Sequence, residues 1–158
     1  MVFKQIAKIG RSFFNLNIII HLLVTSVNAF ITFIDIGVLL IQNINIVVGA
    51  TYKHLDNLNG FLLKGKKINI YQNIDANTMC EILEKSQLAI CPASTISFEV
   101  CAVGLFCITG YTAENQKHIL EDLVNCNVAE SIGSFFNLDV YKFKQTMETI
   151  HQTYSYSE

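Results

Sequence analysis

The residues most able to do chemistry lie between Leu88 and Gln116. An apolar run, Leu88-Ala89-Ile90-Cys91, enters Pro92-Ala93-Ser94-Thr95-Ile96-Ser97-Phe98-Glu99, followed by Gly104 and then Asn115-Gln116. The run has the length of a buried strand, and Ser94 or Thr95 is a good N-cap for a helix reaching about Val103. Strand, tight turn and helix start together present unpaired N–H groups at the positive end of a helix dipole, which suits an anion, phosphate above all. From Leu88 through Ile108 the only charged side chain is Glu99, set between Phe98 and Val100-Cys101-Ala102-Val103. A carboxylate in such company is costly to bury unless hydroxyls donate to it. About one turn beyond Ser94-Thr95, its two oxygens would reach two vicinal hydroxyls of a ligand whose phosphates sit on the turn. The alternative is that Glu99 is the solvated residue of an amphipathic helix that Ser94 and Thr95 cap with no ligand present. Against it, no charged residue stands three or four positions away to mark a polar face.

Positioning these residues calls for a sheet. Strand-length apolar runs recur at Ile18 to Val24, Ile44 to Val48, Ile68 to Tyr71, Leu88 to Cys91 and Leu105 to Thr109. They alternate with helical stretches near Asn28 to Ile41, His54 to Leu63, Asn77 to Ser86, Thr95 to Val103 and Asn115 to Asn125, and a last helix runs from about Asp139 to Tyr154. The alternation predicts an α/β fold, a Rossmann-like parallel sheet with helices on both faces, whose ligands bind at the carboxyl ends of the strands. No linker, low-complexity tract or internal repeat divides residues 1–158, so a single domain is expected.

Composition narrows the partners. The 158 residues are 51% apolar and 15% charged, with a net charge of −2 and no basic cluster, so nucleic acid is not expected to bind. The five cysteines, at 80, 91, 101, 107 and 126, form no Cys-x-x-Cys pair; most lie in apolar runs and read as small hydrophobes of a reducing, cytoplasmic compartment. The histidines at 21, 54, 118 and 151 show no zinc spacing, and no metal or other cofactor is expected. His118, just past Gln116, reads as a surface residue.

The N-terminus admits two readings. Between Arg11 and Lys53 the only formal charge is Asp35, and residues 13–41 are long enough to cross a bilayer. Lys4, Lys8 and Arg11 also precede an apolar stretch ending at Val27-Asn28-Ala29, a passable signal-peptidase site. Asn15, Asn17, His21, Asn28 and Asp35 interrupt the run, however, and a buried parallel strand with its covering helix would be comparably apolar. Residues 1–40 are therefore read as an atypical first strand and helix, with membrane association through residues 13–41 or through a partner as the alternative.

One ordered set of residues resembles a known family. Ile46-Val47-Val48-Gly49, Tyr71-Gln72-Asn73-Ile74, Met79, Leu88-Ala89-Ile90, Ala93-Ser94-Thr95, Glu99, Gly104 and Asn115-Gln116 resemble the C-terminal, nucleotide-binding half of GT-B fold proteins. The likeness is to the UDP-sugar hydrolase of pseudaminic acid synthesis and related polysaccharide-biosynthesis glycosyltransferases in particular, and it spans about Ile44 to Gly133. It implies that main-chain groups near Asn73 and Ile74 face the uracil, Ser94-Thr95 holds the diphosphate, Glu99 binds the ribose, and Asn115 with Gln116 touches the sugar. Two places depart from the pattern. Gly104-Leu105-Phe106 stands where the family has Gly-Leu-Pro or Gly-Val-Pro, and residues 22–28 replace its Gly-Gly-Ser-Asp loop.

The resemblance implies one GT-B half-domain that binds a UDP-sugar for a glycosyltransferase of surface polysaccharide or glycan biosynthesis. The alternatives are a nucleotide-sugar hydrolase half-domain and a non-catalytic binding subunit. In the resembled hydrolase the other half supplies the catalytic base, so no catalytic residue is assigned here. Activity is expected to need a second half-domain chain or a homodimer, much as in the asparagine-linked glycosylation transferase split across two chains.

Overall fold

The computed structural model describes residues 16–22, 41–50, 52 and 67–155 of the chain. Six strands lie among the described residues: β1 (Leu16–Leu22), β2 (Ile41–Val48), β3 (Lys67–Gln72), β4 (Leu88–Pro92), β5 (Phe106–Tyr111) and β6 (Ala129–Ser134). They form one sheet in the order β3-β2-β1-β4-β5-β6, and every neighbouring pair is parallel. The described helices are α1 (Ala76–Glu84), α2 (Thr95–Val103), α3 (Lys117–Asn125) and α4 (Val140–Ser155), with a 3-10 turn at Glu114–Gln116 leading into α3. The sheet is thus parallel and flanked by helices, the Rossmann-like α/β arrangement expected from the alternation of runs.

Within the N-terminal apolar run, Leu16–Leu22 form a strand. β1 is central, paired along its length with β2 and with β4 through Ile18–Leu88, Ile19–Ala89 and Ile20–Ile90. A single bilayer-spanning helix over residues 13–41 is incompatible with this extended segment. Among the described residues no helix is long and apolar enough to cross a membrane. The helices expected near 28–41 and 54–63 lie outside the described residues, except that Ile41 opens β2.

Strand alternation divides the core. Val47, Ala89, Cys91, Cys107 and Ala129 point to one face and pack with Ile82 and Leu83 of α1, Ile96 and Val100 of α2 and Leu123 of α3. Ile44, Ile46, Val48, Leu88, Ile90 and Ile108, all buried, alternate with them onto the other face. α4 packs beside β6 and buries Phe143 and Ile150; Asp139 starts it by accepting from the Lys142 N–H at 2.9 Å. β6 has no counterpart among the predicted strands. Its sequence, Ala-Glu-Ser-Ile-Gly-Ser, contains no apolar run, because an edge strand buries little.

Candidate functional site

The strand order reverses between β1 and β4. In a doubly wound sheet the crevice at that switch point, outside the carboxyl ends of the strands, is where ligands bind. The β4–α2 turn stands there. Its start is fastened to the neighbouring strand, since the Ala93 N–H donates to the Gly110 carbonyl at 2.7 Å. Ser94 follows in extended conformation, φ −149° and ψ −167°, at the N-cap of α2.

Ser94 occupies the expected cap position without acting as the expected cap, for its side chain makes no capping hydrogen bond. The buried Ser97 hydroxyl instead donates to the Ser94 carbonyl at 2.6 Å, beside the Ser97 N–H at 2.9 Å. The first amides of α2, those of Thr95 and Ile96, have no acceptor within the helix. At the other end Gly104, with φ 82°, lets the chain turn back. Its N–H donates to Cys101, and that of Leu105 to Val100 at 3.2 Å, closing the last carbonyls.

Glu99 is exposed, as are Thr95, Phe98, Ala102 and Val103. The expectation built on burying this carboxylate therefore does not hold: the helix turns the 95/99 side to solvent and seats Ile96, Ser97 and Val100 inward. Its position still fits a diol. Thr95 and Glu99 share one exposed face, about 6 Å apart along the axis at 1.5 Å per residue, and among the described residues no cation pairs with Glu99.

The other predicted positions follow β3 and β5, three strands and one strand from β4 in the sheet. Asn73 is exposed, in a left-handed conformation with φ 52°, and its N–H is spent on the Val48 carbonyl at 3.1 Å. Ile74 packs against the same buried cluster as Ile96 and Val100, so the loop after β3 and the α2 start rest on one core. Asp75 caps α1 by accepting from the Thr78 N–H at 2.8 Å, and those hydrogen bonds lower its pKa. Asn115 is exposed and Gln116 half-buried, both in the 3-10 turn beyond β5 rather than in the helix, which begins at Lys117. The Gln116 amide oxygen accepts from the Thr112 N–H at 2.8 Å and the Thr112 hydroxyl at 3.1 Å. Lys117 bridges to Glu114 at 2.8 Å and sits 5.0 Å from the Tyr111 ring centre, steadying the same turn.

Three further residues matter that sequence reasoning passed over: Ser97, Thr112 and Gly110. Only Thr112 carried a usable sign, four residues before Gln116. A Cβ on Gly110 would meet the Gly133 carbonyl oxygen at 2.6 Å and Phe135 Cε2 at 2.9 Å, so the turn is anchored where the chain must lack a side chain. Behind it, Cys91 and Cys107 touch at 3.9 Å and Cys101 donates to the Val128 carbonyl at 3.8 Å. The Cys107 thiol and then burial push the Cys101 thiol far above the ordinary range; for Cys107 the contact with Cys101 pulls down, but Cys91 and burial outweigh it and leave that thiol far above the range too, which makes both packing residues. Cys80 and Cys126 are exposed, the two that do not follow the small-hydrophobe reading given for most of the five. His118 is exposed, as expected of a surface residue. Among the described residues no group of three His, Cys, Asp or Glu could hold a metal ion.

Fold and turn define a doubly wound, Rossmann-like domain whose candidate ligand site lies at the carboxyl ends of the strands. In fold the chain is similar to a solved structure, the crystal structure of the glycotransferase of kitacinnamycin, which matches 93% of this chain and 39% of its own with TM-score 0.61 and 12% identity. In sequence, the chain is 34% identical over 83 residues to an uncharacterized protein of Methanocaldococcus jannaschii, a match over 51% of this chain and 17% of that protein. No family model matches. The chain spans well under half the length of either protein.

Proposed function

We propose that the domain binds a UDP-sugar across the β4–α2 turn and serves a glycosyltransferase of surface polysaccharide or glycan biosynthesis. One observation carries the reading: at the switch point of the sheet, a helix start whose cap side chain makes no capping hydrogen bond is followed, one turn along, by an exposed carboxylate that pairs with no cation among the described residues. The amides of Thr95 and Ile96 and the Ser94 hydroxyl hold the diphosphate, and Glu99 accepts from the ribose hydroxyls. With the Asn73 N–H already used, the Ile74 main chain meets the uracil, giving one donor and one acceptor to a base edge that needs both. As the sugar leaves, the amides stabilise charge gathering on the diphosphate. Asn115 and Gln116 face the sugar.

The acceptor side of the reaction comes from a second half-domain, in another chain or another copy of this one. Phe98 and Val103, 53% and 40% exposed beside the site, support such a partner, since large apolar groups at a cleft rim favour being covered. A water entering from that half in place of an acceptor would make the enzyme a nucleotide-sugar hydrolase. Thermal denaturation with a panel of nucleotides tests the binding step. UDP at about a hundred times its dissociation constant adds roughly 2.7 kcal/mol, a shift of several degrees. No shift with any uridine nucleotide overturns the proposal.

A further inference from the structure

The amide of Gln116 is held in one orientation. Its oxygen faces the Thr112 N–H and hydroxyl; a main-chain N–H can only donate, so the atom opposite it must be the oxygen rather than the nitrogen. Both oxygen lone pairs are then engaged, and what Gln116 has left is Nε2 with two N–H donors. Among the described residues Nε2 meets no acceptor, nor is it sealed in the interior. The Thr112–Gln116 pair begins two residues beyond Gly110, whose carbonyl holds Ala93, so this donor stands at the strand next to the diphosphate turn.

We infer that Thr112 is a positioning residue that makes Gln116 a one-way donor, selecting a sugar with an acceptor oxygen at that point (hydroxyl, carbonyl or carboxylate) and rejecting an ammonium group there. The inference rests on the nucleotide-sugar reading of the site and adds the polarity of its sugar end. A freely turning glutamine would tolerate either partner. One locked by Thr112 leaves its donor covered by the bound sugar and unpaired when the wrong group faces it, which is the larger penalty in hydrogen-bond discrimination.

Calorimetry with UDP, UDP-glucose and UDP-N-acetylglucosamine on the wild type, Gln116→Glu, Thr112→Val and Thr112→Ser tests this. Glutamate at 116 can still accept from both Thr112 donors but presents an oxygen where the N–H groups were. The expected result is that the sugar-dependent gain in affinity over UDP falls at least tenfold in Gln116→Glu, while the melting temperature stays that of wild type. Thr112→Val, which keeps the N–H and loses the hydroxyl, lowers the gain, and Thr112→Ser restores it. A purely structural role would instead lower UDP affinity and melting temperature together, and that result overturns the inference. So does an undiminished gain in Gln116→Glu, a failure of Thr112→Ser to restore it, or a wild type that binds neither sugar better than UDP. Absence of UDP binding to the wild type removes the nucleotide reading itself, an outcome separate from loss of the sugar gain alone.

Discussion

The N–H of Ala93 donates to the carbonyl of Gly110 at 2.7 Å, so the turn that opens α2 is fixed to the end of β5 rather than only to its own strand. Pro92 pairs with the same glycine in the sheet register. The geometry of the β4–α2 turn therefore depends on Gly110, seventeen positions beyond Ala93, which in turn depends on the close passage of Gly133.

Gly110→Ala should disturb both ends of that relationship. The nearest obstacle to a new methyl group is backbone, which cannot rotate aside, so a cost of about 1 to 3 kcal/mol is expected, as for other overpacked sites. Urea denaturation reads it, and a variant as stable as wild type would contradict the close approach.

Glu99→Gln separates ligand binding from folding. Glu99 is exposed, so stability should hold, whereas UDP affinity should drop by roughly 1.5 to 3 kcal/mol as charge-assisted bonds to the ribose are lost. The penalty for 2′-deoxy-UDP or 3′-deoxy-UDP should shrink in the mutant, because both changes delete the same contact. Calorimetry on the four combinations checks this; unchanged UDP affinity would make Glu99 an ordinary helix-surface residue.

Thr109 offers a test of the interior behind the turn. Its hydroxyl is fully buried and finds no hydrogen-bond partner among the described residues. Thr109→Val keeps the shape and removes the unsatisfied group, so stability should stay level or rise by about 1 kcal/mol. A marked loss on thermal denaturation would show that the hydroxyl is bonded after all.

Phe106→Pro probes the place where this chain departs from the Gly-Leu-Pro pattern. The Phe106 N–H donates to the Gln87 carbonyl at 3.3 Å, a bond that proline cannot make. The substitution should cost about 1 kcal/mol or more, the usual sign where proline removes a used N–H. Chemical denaturation measures it, and a gain in stability would mean this long bond counts for nothing.

Asp75 should contribute a small acid limb to the stability curve. Its folded pKa lies below the model-compound value of 3.8, lowered chiefly by the Thr78 N–H. The stability it lends is whole above the unfolded pKa and is lost as pH falls through the folded one. Asp75→Asn retains an acceptor but no titration, so its stability should decline less steeply below about pH 4. Parallel acid titrations followed by circular dichroism decide the point.

The sequence by itself determined the local elements near the site. Leu88 to Cys91 as strand, Thr95 to Val103 as helix and Gly104 as its stop follow from apolar runs, cap residues and glycine, all of which act within a few residues. Alternation of such elements also determined a parallel α/β sheet, because parallel strands need crossovers. Tertiary structure alone decided the rest. That β1 lies beside β4, making the switch point, depends on pairing between Ile18–Ile20 and Leu88–Ile90, contacts that no local pattern encodes. β6 is a strand because β5 pairs with it, despite its polar sequence. Glu99 faces solvent because Ile96, Ser97 and Val100 won the inward side of α2, and its apolar neighbours in the chain gave no sign of that. Gln116 is a donor because Thr112 holds its oxygen, an orientation set by a folded turn and invisible in the order of residues.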